Sequence, residues 1–145
     1  MRIAAFAFIA ACLAGAALAQ EPPMMFVPTF DAQPSSAELV RHYPPQALQQ
    51  NTSGIAILCC TPRPDRSVNC EVSSEWPEGQ GFGAASVAAS SSYRLSQQSA
   101  ADLEARPGTR VRISMLWAGP VILPQTIDQL RQIDGETIEA CLPPL

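Results

Sequence analysis

The sequence predicts an α+β domain: a three-stranded antiparallel sheet packed on one helix, in the order ββαβ. Three observations carry that reading. An apolar run, Ile55 to Cys60, follows Gly54 and is answered across a Pro- and Asp-rich turn by a second extended segment. Phe82, Ala85, Ala89 and Tyr93 recur at helical spacing. Finally, Arg110 to Trp117 alternates, with Val111, Ile113, Met115 and Trp117 inward and Arg110, Arg112 and Ser114 outward.

Residues 20–34 carry Pro22, Pro23, Pro28 and Pro34 and predict an extended lead-in, while Phe26, Val27 and Phe30 suit docking onto a domain. Ser35 and Glu38 have capping-box spacing, so a short helix runs from Ala37 to His42 and stops at Tyr43-Pro44. Pro45 opens the next helix, which ends near Asn51. Gly54 to Thr61 is the first strand. Ala56, Leu58 and Cys60 point to one face and Ile55, Ile57 and Cys59 to the other, so both faces need cover. Pro62, Pro64 and Asp65 turn the chain into a second strand over Ser67 to Ser74. Gly79, Gly81 and Gly83 lead into a helix from Ala84 to about Ser92, and residues 96–108 read as polar connection. Beyond the third strand, Ile127, Leu130 and Ile133 share one helical face and Ile138, Cys141 and Leu142 another.

The first nineteen residues read as a cleaved export signal. Arg2 precedes the apolar stretch Ile3 to Ala17, and Ala17-Leu18-Ala19 has the small-x-small cleavage pattern. Cys12 follows Ile9-Ala10-Ala11 in lipobox fashion, but the apolar residues after it disfavour a lipoprotein. Loss of Arg2 takes the formal charge from −4 to −5, and an acidic chain without a single Lys argues against nucleic acid as a partner. Four cysteines then remain, Cys59, Cys60, Cys70 and Cys141, enough for two bridges in an oxidising compartment. Zinc is poorly matched, because His42 is the single His and no Cys-x-x-Cys occurs. The serines lack a neighbouring base, Glu71, Glu75 and Glu78 are scattered by alternation and turn, and the Gly79–Gly83 loop lacks the Lys-Ser/Thr of a phosphate cradle. The chain is therefore read as non-catalytic, with no cofactor and no metal.

One longer pattern is more specific. Tyr43-Pro44 lies a fixed distance before Gly54, and Glu75, Pro77, Gly79, Gly81-Phe82-Gly83, Ala85 and Tyr93 follow in order. This set resembles the periplasmic C-terminal domain of TonB-family proteins, in a disulfide-bearing variety, over residues 35–118. The hairpin turn lacks that family's Asp-Gly, its Pro and Gly after the helix are missing from Leu95 to Ala105, and residues 119–145 extend past its usual end. The resemblance implies the sheet-on-helix packing and a periplasmic location. It also implies a bridge between Cys60 and Cys70 on facing strands. Cys59, on the opposite face, is expected to pair with Cys141 and to pin Ile138 and Leu142 over Ile55 and Ile57. The resemblance further implies binding of an extended peptide from an outer-membrane receptor, or of peptidoglycan, at an open sheet edge. That edge is Arg110, Val111, Arg112, Ile113, Ser114, Met115 and Leu116, with Arg110 and Arg112 attracting acidic residues. Val121-Ile122-Leu123 of the tail, or a second copy in a homodimer, are competing occupants of the same edge. The alternative is a structural or assembly factor of the envelope that has lost ligand binding.

Overall fold

The computed structural model describes residues 26–119 together with Asp128, Gln132 and Cys141. The export signal, the start of the lead-in, Val121-Ile122-Leu123 and the two amphipathic tail segments (apart from these three residues) lie outside the described residues. In chain order the elements are β1 (Phe30–Ala32), α1 (Ser36–His42), α2 (Pro45–Gln49), β2 (Gly54–Pro62), β3 (Val68–Trp76), α3 (Phe82–Ala89), β4 (Arg94–Leu95), α4 (Gln97–Glu104) and β5 (Val111–Trp117).

Strand β2 is central because it is apolar on both faces, and the sheet runs β3-β2-β5 with both neighbours antiparallel to it. Seven consecutive residues, Gly54 to Cys60, are buried. On the first face Ala56, Leu58 and Cys60 meet Met115, Ile113 and Val111 across the ladder. Phe82, Ala85 and Ala89 of α3 join these residues in one core, so the sheet packs on the helix as expected. On the second face Ile55, Ile57 and Cys59 are also buried, and Cys141 is bridged to Cys59 there. Each fully buried Leu, Ile or Phe side chain of this kind contributes roughly 1.5–3 kcal/mol.

Both expected bridges form. Cys60 and Cys70 stand directly opposite each other in the β2–β3 ladder, with Cα atoms 4.0 Å apart. Cys59 and Cys141, 82 positions apart, have Cα atoms 5.3 Å apart.

The structure corrects two boundaries. The helix expected from Ala84 starts at Phe82, with Gly81 as its N-cap at φ 84°, and ends in a 3-10 turn over Ser90–Ser92. One of its orphan amides, that of Gly83, explains the early start. The Glu75 carboxylate, reaching from β3, accepts from Gly79 N at 2.8 Å and from Gly83 N. The expected polar connection over residues 96–108 contains α4. Ser96 caps it, its hydroxyl accepting from Ser99 N at 3.1 Å, and Leu103 and Ser99 anchor its buried side. The lead-in docks through β1, which pairs with β4. Thr29 N donates to Ser99 Oγ at 2.8 Å, and the Phe30 ring meets Tyr93 edge-on with centroids 4.8 Å apart.

At Gly54 a Cβ would run into the Phe82 ring and lie 2.7 Å from the Trp76 carbonyl oxygen. Gly54→Ala is therefore expected to destabilise the protein by about 2–3 kcal/mol, read as a lower urea midpoint at unchanged slope.

The Ser35–Glu38 capping box is complete, and Glu38 Oε1 also accepts from the Ser92 hydroxyl, which ties α1 to the end of α3. That Ser92 hydrogen bond is the main cause of a lowered Glu38 pKa, supported by Ser35 N and by Arg41 and His42. A depressed carboxylate stabilises the fold above the ordinary glutamate range and loses that contribution as pH falls through the lowered value. Denaturant stability should hold from neutral pH down to that range and then decline. Glu38→Gln should flatten part of the decline.

Candidate peptide-binding edge

Strand β5 forms one end of the described sheet, and its register with β2 is unbroken from Gly54↔Trp117 to Cys60↔Val111. The other end, β3, is irregular. Opposite the Ile57–Leu58 step, Ser74 and Val72 are the paired residues, so Ser73 is one residue too many. Such a bulge kinks an edge and discourages further pairing, whereas the seven regular residues of β5 contain no Pro and no bulge.

Six of the seven residues expected at the edge, Val111 to Leu116, lie in β5, and Arg110 immediately precedes it. Val111, Ile113 and Met115 face the core, as does Trp117. Between them Arg112 is half-buried and already engaged in an interaction, as is Ser114, which is exposed. Leu116 leaves 48% of its surface in solvent.

Arg110 does not simply project outward. Its Nη2 donates to the Cys59 carbonyl oxygen at 3.1 Å and to the Glu71 carboxylate, so the guanidinium reaches across β2 toward β3. Its side chain keeps 27% exposure and that of Glu71 69%. Nothing in the sequence marked Glu71 as a partner, since 39 positions separate the two residues.

Trp117 and Gly119 fix the end of the strand. The Trp117 indole N–H donates to Ser86 Oγ at 2.7 Å in the buried interior. Tyr43 meets Phe82 and Trp117 edge-on, with centroids 5.9 and 5.8 Å apart, and its hydroxyl donates to the Thr52 carbonyl oxygen at 2.7 Å. Burial raises the Tyr43 pKa, which keeps that donor protonated. Gly119 N donates to the buried Ser53 hydroxyl at 2.9 Å, and a Cβ at Gly119 would sit 3.2 Å from the same oxygen. Ser53 lies in the short polar segment Asn51-Thr52-Ser53, which has no periodicity to place it inside.

Among the described residues no three His, Cys, Asp or Glu side chains gather as a metal site, and no helix is long and apolar enough to cross a membrane. Comparison of the chain with protein-family models, with curated proteins and with solved structures finds no match. The class of protein defined by the fold itself is a small α+β domain held by two disulfides.

Proposed function

We propose that the protein is a non-catalytic periplasmic binding module, akin to the C-terminal domain of TonB-family proteins. It takes an extended peptide of an outer-membrane partner as an added strand along β5. The observation that carries the reading is the contrast between the two ends of the sheet: β5 is regular over seven residues and β3 is bulged at Ser73. An added strand gains backbone hydrogen bonds worth about 0.5–1.5 kcal/mol each, while pockets beside alternate side chains give selectivity. Leu116 offers such an apolar contact. The Arg110–Glu71 pair is partly exposed, and pairs of that kind contribute about 0–1 kcal/mol, so an acidic ligand residue can replace Glu71 at little cost. Two disulfides accord with an oxidising compartment.

Peptidoglycan is the second ligand candidate, and the assembly-factor reading is the alternative. Fluorescence anisotropy separates them. Labelled ten-residue peptides with alternating acidic and apolar residues, and separately muropeptide fragments, are titrated with the mature protein. Saturable peptide binding weakened by Glu-to-Lys reversal in the peptide is the expected result. Saturation by muropeptides alone moves the ligand to the cell wall, and no saturation by either favours the assembly factor.

A further inference from the structure

The four bridged cysteines are not equally reachable. Cys60, Cys59 and Cys141 are buried at 0%, 2% and 8% exposure, whereas Cys70 is only half-buried. Cys70 also lines a groove of about 350 Å³ between the β2–β3 turn and the end of α3. Val68 and Val87 are apolar parts of its wall, and Arg63, Arg94 and Asp65 supply its charges. Two guanidinium groups against one carboxylate make the groove locally positive on a chain whose formal charge is −4. The Asp65 carboxylate is further occupied by Ser67, accepting from its N at 3.1 Å and its Oγ at 2.6 Å. Arg63 donates through Nη2 to Asn69 Oδ1 at 3.1 Å, and Arg94 through Nη1 to the Ser91 and Tyr93 carbonyl oxygens at 2.7 and 2.8 Å. Each guanidinium has five N–H donors, and these contacts use one nitrogen of each.

Thiol–disulfide exchange requires a thiolate and a sulfur that can be approached, and cationic surroundings favour both the thiolate and its anionic partner. We propose that Cys70 is the entry point for exchange at the Cys60–Cys70 bridge, and that the Arg63–Arg94 groove docks small anionic thiols and disulfides there. In the forming direction the Cys70 thiolate attacks one sulfur of an anionic disulfide RSSR. A Cys70–S–SR bond forms and RS⁻ leaves. The Cys60 thiolate, across the ladder with its Cα 4.0 Å away, then attacks Cys70 Sγ and expels the second RS⁻. The two leaving thiolates take up the protons lost by the cysteines. Two protein thiols are thereby oxidised while RSSR is reduced to two RSH. In the opening direction the incoming thiolate attaches to Cys70, and Cys60 is the sulfur released.

The test compares Cys60→Ser with Cys70→Ser, the Cys59–Cys141 bridge being kept in both. Each is treated with glutathione disulfide, which is anionic, and with uncharged bis(2-hydroxyethyl) disulfide, and adducts are counted by mass spectrometry. Cys70 in the first variant should react at least about tenfold faster than Cys60 in the second, as its access requires. Adding Arg63→Gln and Arg94→Gln to Cys60→Ser should slow glutathione disulfide about fivefold more than the uncharged reagent, which slows only through the smaller thiolate fraction at Cys70. Equal rates at the two cysteines, or equal slowing of both reagents, would overturn the proposal. Unaltered protein provides the check that does not depend on variants folding: brief exposure to glutathione, acid quench and peptide mapping. An adduct on Cys70 supports the proposal, and an adduct on Cys60, or prior opening of Cys59–Cys141, refutes it.

Discussion

Cutting the long bridge with Cys59→Ala and Cys141→Ala together is expected to lower the free energy of unfolding by about 4–5 kcal/mol, and cutting the short one with Cys60→Ala and Cys70→Ala by about 2.5–3 kcal/mol. The difference follows from loop length. A cross-link spanning 82 positions restricts the unfolded chain far more than one spanning 10. Losses of that size are a large share of a small domain's stability of about 5–15 kcal/mol. The long bridge also holds Cys141 against the face where Ile55 and Ile57 are buried, so its loss should expose apolar surface as well. Urea denaturation of the two double variants checks this, with a dye that binds exposed apolar surface as a second readout. Equal losses, or a larger loss from the short bridge, would contradict the account.

Trp117→Ala should cost about 3–5 kcal/mol, the range for deleting a large buried aromatic side chain. Trp117 is 2% exposed, and its ring lies 5.8 Å from Tyr43 and 6.4 Å from Phe82 between centroids. It therefore joins the end of β5 to α3 and to the turn after α1. Truncation also leaves the fully buried Ser86 hydroxyl without its indole donor. Trp117→Phe keeps most of the volume but loses that hydrogen bond and a smaller part of the packing, so about 1–3 kcal/mol is expected. Melting of both variants separates packing from polar satisfaction, and a Phe variant as unstable as the Ala variant would place the main contribution in the hydrogen bond.

The parts of this fold that could be read from the sequence are those in which local pattern and tertiary environment agree. Strand β2 carries apolar residues on both faces, and β5 alternates strictly, so period-two reasoning places each side chain correctly. The hairpin follows from Pro62, Pro64 and Asp65, and the helix face from Phe82, Ala85 and Ala89. Helix α4 escaped because Gln97 to Glu104 buries only Ser99 and Leu103, which gives no apolar stripe, and its one local signal is the Ser96 cap. The β1–β4 pairing involves strands of three and two residues joined by long-range contacts, too short to leave a periodic trace. At the candidate edge, the residues were legible but their electrostatics were not. Alternation places Arg110 outward, yet the register brings Glu71 of β3 within reach of its guanidinium across the intervening strand. Pairings of this kind depend on how three strands are aligned, and no single segment encodes that.

Backbone amide mapping would locate a bound peptide on the sheet. Uniformly ¹⁵N-labelled mature protein is titrated with the alternating acidic–apolar peptide, and shift changes and amide exchange are followed residue by residue. Changes should concentrate on Val111 to Leu116, amides there should gain protection, and within Val68 to Trp76 at the bulged end only Glu71 and its immediate neighbours should shift, as its carboxylate is displaced from Arg110. Saturable binding that leaves 111–116 unperturbed and moves another surface instead would contradict the proposed added strand along β5.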